Sequence, residues 1–225
     1  MIPETDRVAE PAPVTGTVTR LARQSRGPDR VSVFLDGRFA FGLAADVVVS
    51  LGLEEGSVVD EAEYTRIQRA DGQFEARQTA LTLLSRRPMS EAELHRKLLV
   101  KAFDPEVADR VVVRLRELGY LNDAEYASTY ATSRSRARGY GPRRILLELR
   151  RRGIPEDLAR NAVETLKAES DSAGLALEAA RRAWPRYARE TDRRKRTARL
   201  YGFLARRGFD HDTILAAVAE LDGAV

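Results

Sequence analysis

Between Arg134 and Arg152 the chain concentrates side chains that recognise anions rather than ones that make or break bonds. The stretch Arg134-Ser135-Arg136-Ala137-Arg138-Gly139-Tyr140-Gly141-Pro142-Arg143-Arg144 sets a tyrosine between two glycines, with arginines on both sides and Gly141-Pro142 opening a helix. Such a turn can offer backbone N–H groups and guanidinium forks to phosphates, or it can be an ordinary inter-helix turn. On a helical wheel, at ~100° per residue, Pro142 to Arg152 gathers Ile145, Leu146 and Leu149 on one side. Opposite lie Arg143, Arg144, Arg150 and Arg151, with Leu147 among them. That face is either a solvated surface carrying an exposed leucine or a contact for an acidic or phosphate-bearing partner.

A similar outer side forms further on around Arg194, Lys195, Arg199 and Arg206, whereas Arg96 and Lys97 are offset by Glu91 and Glu93. Charge follows the same gradient. Residues 1–72 hold 8 basic and 12 acidic side chains, a net of −4, and residues 73–225 hold 30 and 22, a net of +8. A polyanionic partner fits that asymmetry, as does a solvated arginine-rich face. Catalytic chemistry finds no such support. Without cysteine there is neither a disulfide framework nor a thiolate nucleophile or zinc site. The two histidines, His95 and His211, have no metal-ligand spacing, and no Walker loop, G-x-S-x-G or H-E-x-x-H occurs. The chain reads as a non-enzyme with no catalytic residue, cofactor or metal.

These side chains must be positioned by a unit that recurs. Aligning Phe103, Ile154 and Phe209, offset by 51 and 55 residues, superposes Leu98, Leu149 and Leu204 five positions earlier and Leu94, Ile145 and Leu200 nine positions earlier. A basic residue (Lys101, Arg152, Arg207) stands two positions before the anchor, and Leu115, Leu166 and Leu221 follow twelve later. Leucines four apart share a helix face. Gly153 and Gly208 suit left-handed caps, although Ala102 takes that place in the first copy. Asp104-Pro105-Glu106 and its counterparts open a further helix, and Phe74–Arg87, Asp123–Arg138 and Ser172–Arg189 supply another before each pair. The pattern predicts three tandem three-helix repeats, at 73–122, 123–170 and 171–225.

Ahead of them, residues 14–72 follow different rules. Thr15–Arg23 and Val31–Leu35 alternate like strands, and Asp36-Gly37 is a hairpin signal before residues 38–43. Residues 44–51 suit a short helix, Ser57–Val59 a last strand and Glu61–Arg69 a helix, with the β-to-helix boundary near Gly72. Residues 1–13 read as a disordered tail without the apolar segment of a secretion signal. The fold class is mainly α, an elongated curved array with a small β-rich N-terminal module. With 43% hydrophobic residues and no apolar run near ~20 residues, a soluble cytoplasmic monomer is expected.

Four stretches resemble one family. Arg86-Arg87-Pro88-Met89-Ser90-Glu91-Ala92-Glu93-Leu94-His95-Arg96-Lys97-Leu98, Leu118-Gly119-Tyr120-Leu121-Asn122-Asp123-Ala124-Glu125-Tyr126-Ala127, Gly139-Tyr140-Gly141-Pro142-Arg143-Arg144-Ile145 and Glu148-Leu149-Arg150-Arg151-Arg152-Gly153-Ile154 look like the RecX family, over about residues 73–222. The resemblance implies a regulator that lodges in the groove of the RecA–single-stranded DNA filament and represses ATP hydrolysis and strand exchange, in DNA repair, recombination and the SOS response. On that reading Arg143, Arg144, Arg150 and Arg151, with Leu147 as apolar anchor, Arg138 and Tyr140 in the preceding turn, and Arg194, Lys195 and Arg199 in repeat three, make the contacts. A helix-turn-helix regulator that binds single- or double-stranded nucleic acid directly, or a plain helical scaffold, would be built from the same units.

Overall fold

The computed structural model describes residues 14–24, 27–169, 171–187 and 189–223. Four strands and ten helices follow one another in them: β1 (Gly16–Gln24), β2 (Gly27–Leu35), β3 (Arg38–Ala44), α1 (Ala45–Leu51), β4 (Val58–Val59), α2 (Glu61–Arg86), α3 (Glu91–Val100), α4 (Pro105–Glu117), α5 (Asp123–Arg138), α6 (Pro142–Arg151), α7 (Glu156–Glu169), α8 (Ser172–Tyr187), α9 (Arg193–Arg207) and α10 (His211–Gly223). The tail expected at residues 1–13 lies outside the described residues. The chain divides into two compact units, one running through Thr82 and including Lys101–Val111, the other made of Leu83–Val100 and Val112–Val225.

The first unit holds an antiparallel sheet in the order β3-β2-β1-β4. Asp36-Gly37 makes the β2–β3 turn, with both residues at positive φ. Alternation buries Val31, Val33 and Leu35 on one face, where Val18, Leu43 and Ile67 of α2 close the core. The expected break at Gly72 does not occur, because α2 runs unbroken for 26 residues. A mid-helix glycine costs only ~1 kcal/mol, and Asp71 beside it is tied to the sheet. Its carboxylate accepts the Ala44 N–H (3.0 Å) and faces Arg30 at 3.5 Å, while Arg30 reaches Glu75 at 2.6 Å.

In the second unit the repeats are legible as packed helices. Leu94, Leu98, Ile145, Leu149, Leu200 and Leu204 are all fully buried, as their four-residue spacing demands. Repeat two closes on Ala127, Ala131, Ala159 and Leu166, and repeat three on Ala176, Ala180, Phe209 and Ile214. Alanines along α5 and α8 let those helices approach closely. Asn122 accepts the Glu125 N–H (3.1 Å) to cap α5, and Asp210 accepts that of Thr213 (2.9 Å) to cap α10.

The same junction joins repeat one to two and repeat two to three. At the first, Ser90 Oγ donates to the Arg152 carbonyl (2.6 Å) and accepts the Glu93 N–H (3.1 Å). Glu93 does not return the second half of a capping box, since its carboxylate pairs with Arg87 and Arg152. At the second, Gly141 N–H donates to the Arg207 carbonyl (2.7 Å) and Arg143 N–H to that of Gly208 (3.0 Å). The start of each middle helix thus bonds to the C-cap of the following one, through the Ser90 side chain at α3 and through backbone N–H groups at α6. Gly141 has an ordinary φ of −82° and is required for proximity, because a Cβ there would stand 2.6 Å from the Gly208 and Phe209 backbone. Gly153 and Gly208 combine positive φ with contact: a methyl would overlap Ala92 in the first case and Arg144 in the second.

Candidate partner-binding surface

The junction settles one of the two readings of the Gly139–Arg144 turn. Its N–H groups at Gly141 and Arg143 are consumed by the next repeat and do not face a ligand. What remains available is side-chain chemistry. On α6, Arg143, Leu147, Arg150 and Arg151 are exposed, Leu147 at 45%. Arg144 is half-buried: it stacks over the Tyr140 ring (3.9 Å to the centroid), pairs with Glu148 (3.2 Å) and donates to the Arg206 carbonyl (3.3 Å). Arg150 pairs with Glu156, which Arg160 also holds at 2.6 Å. The four arginines grouped by the wheel therefore divide. Arg143 and Arg151 have no ion pair among the described residues, whereas Arg144 and Arg150 are committed within the fold.

In repeat three Arg199 pairs with Glu190 (3.0 Å) and Lys195 stands 4.0 Å from Asp192, leaving exposed Arg194 as the least engaged of the three. The structure brings Arg138, Tyr140 and Arg151 to one cleft of about 470 Å³, lined also by Tyr130, Arg134 and Arg152. An adjoining cleft of about 790 Å³ shares Tyr130, Arg134 and Arg152 and adds Tyr120, Tyr126 and Arg87. Arg194, Lys195 and Arg199 line neither.

The sequence reading missed these added residues. Tyr126, Tyr130 and Arg134 lie at i, i+4 and i+8 on α5, a spacing that signals one shared helix face. The two tyrosine rings stack with centroids 6.0 Å apart. Arg134 and Arg152 both lie over Tyr130, at 4.8 and 4.6 Å. Tyr130 donates to Glu148 (2.7 Å) and Arg152 to the Tyr126 hydroxyl (2.8 Å). Burial opposes ionisation of Glu148, but hydrogen bonds from Tyr130 and Arg144 outweigh it and hold its carboxyl below the usual range. Hydrogen bonding by Arg87 does the same for Glu93. The network fixes a preorganised arginine–tyrosine surface. His211 meets the Tyr201 hydroxyl through Nδ1 (2.9 Å).

Sequence models of RecX match along the chain: the N-terminal domain of "Regulatory protein RecX" at residues 16–60, and the first, second and third three-helix domains at 76–115, 122–163 and 169–218. A regulatory protein RecX of Bacillus subtilis (strain 168) is 30% identical over 205 residues, which cover 91% of this chain and 77% of that protein. The chain belongs to the RecX family. Membership extends to the β-rich module, beyond the helical segment whose motifs carry the resemblance. RecX of Clostridium perfringens (strain SM101 / Type A) is 27% identical over 92% of this chain and 96% of its own. The crystal structure of a regulatory protein RecX superposes with a TM-score of 0.74 at 26% identity, covering 93% of this chain and 99% of the other. RecX from Lactobacillus salivarius gives 0.61 at 25% identity over 68% and 98%. These relatives are named as regulatory proteins. Among the described residues no helix is long and apolar enough to cross a membrane.

Proposed function

We propose that this RecX chain binds the RecA–single-stranded DNA filament and restrains its ATPase and strand exchange, acting in the cytoplasm without catalysis of its own. The observation that carries the reading is the exposed ridge Arg143–Leu147–Arg151 on α6, beside a cleft lined by Tyr130, Arg134 and Tyr140. Guanidinium groups that form no ion pair among the described residues offer bidentate contacts to carboxylates or phosphates, and Leu147 supplies an apolar centre that such an interface needs. Repeated units match a polymer whose sites also repeat, and several weak contacts then add up. Arg138 lines the cleft beside the ridge, and Arg194 adds an exposed cation on repeat three. Arg144 and Arg150 hold α6 through their ion pairs, while those of Lys195 and Arg199 lie within repeat three.

The division among the arginines shapes the test. Reversing Arg144 would break the junction, so the informative variant is Arg143→Glu/Leu147→Ala/Arg151→Glu. It is expected to keep the wild-type circular dichroism and melting curve and to lose suppression of RecA's DNA-dependent ATPase by about two decades in concentration. Wild-type suppression should weaken as salt rises. A folded triple variant that inhibits like the wild type would move the contact off α6.

A further inference from the structure

A second cluster of arginines, sharing only Arg138 with the cleft beside α6, lies where repeat two meets repeat three. A cavity of about 310 Å³ opens between the C-terminal end of α5 and the α8–α9 pair, with Arg136, Arg138, Arg182, Arg186 and Arg207 around it and Glu178 as its one acidic wall residue. Glu178 is already taken by Arg182. Among the described residues Arg136, Arg138 and Arg186 have no ion pair. Arg207 is half-buried and anchored: its guanidinium donates to the carbonyls of Arg138 and of Gly139 (3.3 Å) and packs on Phe203 (4.7 Å). That seat is the negative end of α5, which explains why one cation rests there. Arg136 and Arg138 in the last turn of α5 and Arg186 in the last turn of α8 sit at helix ends of the same sign, but exposed and without an ion pair among the described residues.

Burial, opposed by attraction to Tyr140 and joined by repulsion from Arg144, Arg186 and Arg182, lowers the Arg207 pKa. Beyond the Arg182–Glu178 pair, four guanidinium groups on three helices surround one cavity and give it a net positive charge that an anion would complete. We propose that this junction pocket binds a phosphate group. A carboxylate would be satisfied by one or two forks, whereas a terminal phosphate with three free oxygens, or successive diesters of a strand with two each, accepts from several guanidinium groups at once. The volume sits at the lower end of small-ligand cavities, roughly 300–1,000 Å³, and suits a phosphate with part of a nucleotide rather than a large cofactor. The group can come from the backbone of a nucleic-acid strand or from a free polyphosphate.

The test uses the full chain without recombinase, so its failure and that of the filament reading are separable. Labelled oligo(dT) is titrated by fluorescence anisotropy and pyrophosphate by calorimetry, each against the wild type and against Arg138→Gln/Arg186→Gln. These two arginines are exposed and make no ion pair, so the variant should fold; Arg186→Gln alone serves if it does not. Saturable binding of either probe, weakened at least about tenfold in the variant, is expected (~1.4 kcal/mol). Pyrophosphate competing with oligo(dT) identifies one shared site, and binding of oligo(dT) alone assigns the phosphate to a strand. No saturable binding of either probe, equal affinity in the variant, or preference for a polyglutamate peptide would overturn the proposal.

Discussion

Gly208 answers two demands where Gly119 answers one. Both have positive φ, 89° and 78°, but a methyl at Gly119 would meet nothing, whereas one at Gly208 would land on the Arg144 backbone. Gly119→Ala should therefore cost ~1–2 kcal/mol in urea unfolding and Gly208→Ala ~2–5 kcal/mol. Equal losses would mean that the junction yields freely. Glu156 gives a pH signature at the same scale. Hydrogen bonds from Arg150 and Arg160 pull its carboxyl from 4.5 to about 2. A carboxylate depressed in the folded state contributes stability above its unfolded pKa and loses it as pH falls through the folded value. Acid titration from pH 5 to 2 should thus destabilise the wild type more steeply than Glu156→Gln. Parallel curves would show the triad to be only a crystal-like surface pairing without thermodynamic weight.

On α6 the helical wheel assigns the faces well, and side-chain truncation should read them out. Leu149→Ala, at a fully buried site, is expected to cost ~2–5 kcal/mol by thermal or chemical unfolding. Leu147→Ala, on the exposed side, should stay within about 0.5 kcal/mol. Such faces were legible because burial imposes a 3.6-residue period that the chain carries locally. The hairpin at Asp36-Gly37 was legible for the same reason, its turn chemistry being local. What stayed illegible depends on residues far along the chain. The N–H groups of Gly141 and Arg143 end on carbonyls more than sixty residues away, and no spacing announces that. Nor does helical periodicity reveal that Arg144 and Arg150 already have partners, or that Asp71 fastens α2 through the Gly72 position. The stacked Tyr126–Tyr130 pair was visible as an i, i+4 spacing but carried no sign of what would lie on it.

Across the repeats, coupling follows from the shared junction. Arg152 and Arg207, equivalent by repeat, both reach back into the preceding unit, one to Glu93 and the other to the end of α5. Nearest-neighbour arrays gain stability from such interfaces as well as from each unit alone. Removing residues 170–225 should therefore speed amide exchange at Gly141 and Arg143, at the start of α6, while leaving Leu94 in α3 protected. Unchanged exchange in α6 would show that repeat two caps itself. The two ends of the array are built differently from its joints. Where Gly153 and Gly208 leave room for a neighbour, Ala102 has a methyl at φ 63°. Where Ser90 at the start of α3 and the N–H groups of Gly141 and Arg143 at the start of α6 bond to the next repeat, α9 starts on Asp192, whose carboxylate accepts the N–H groups of Arg194 (2.9 Å) and Lys195 (3.3 Å). A gene duplication that placed a further copy ahead of repeat one would thus meet the Ala102 methyl where the existing joints have a glycine. An insertion between existing copies inherits matching surfaces on both sides, so growth from the middle is the easier route to a longer array.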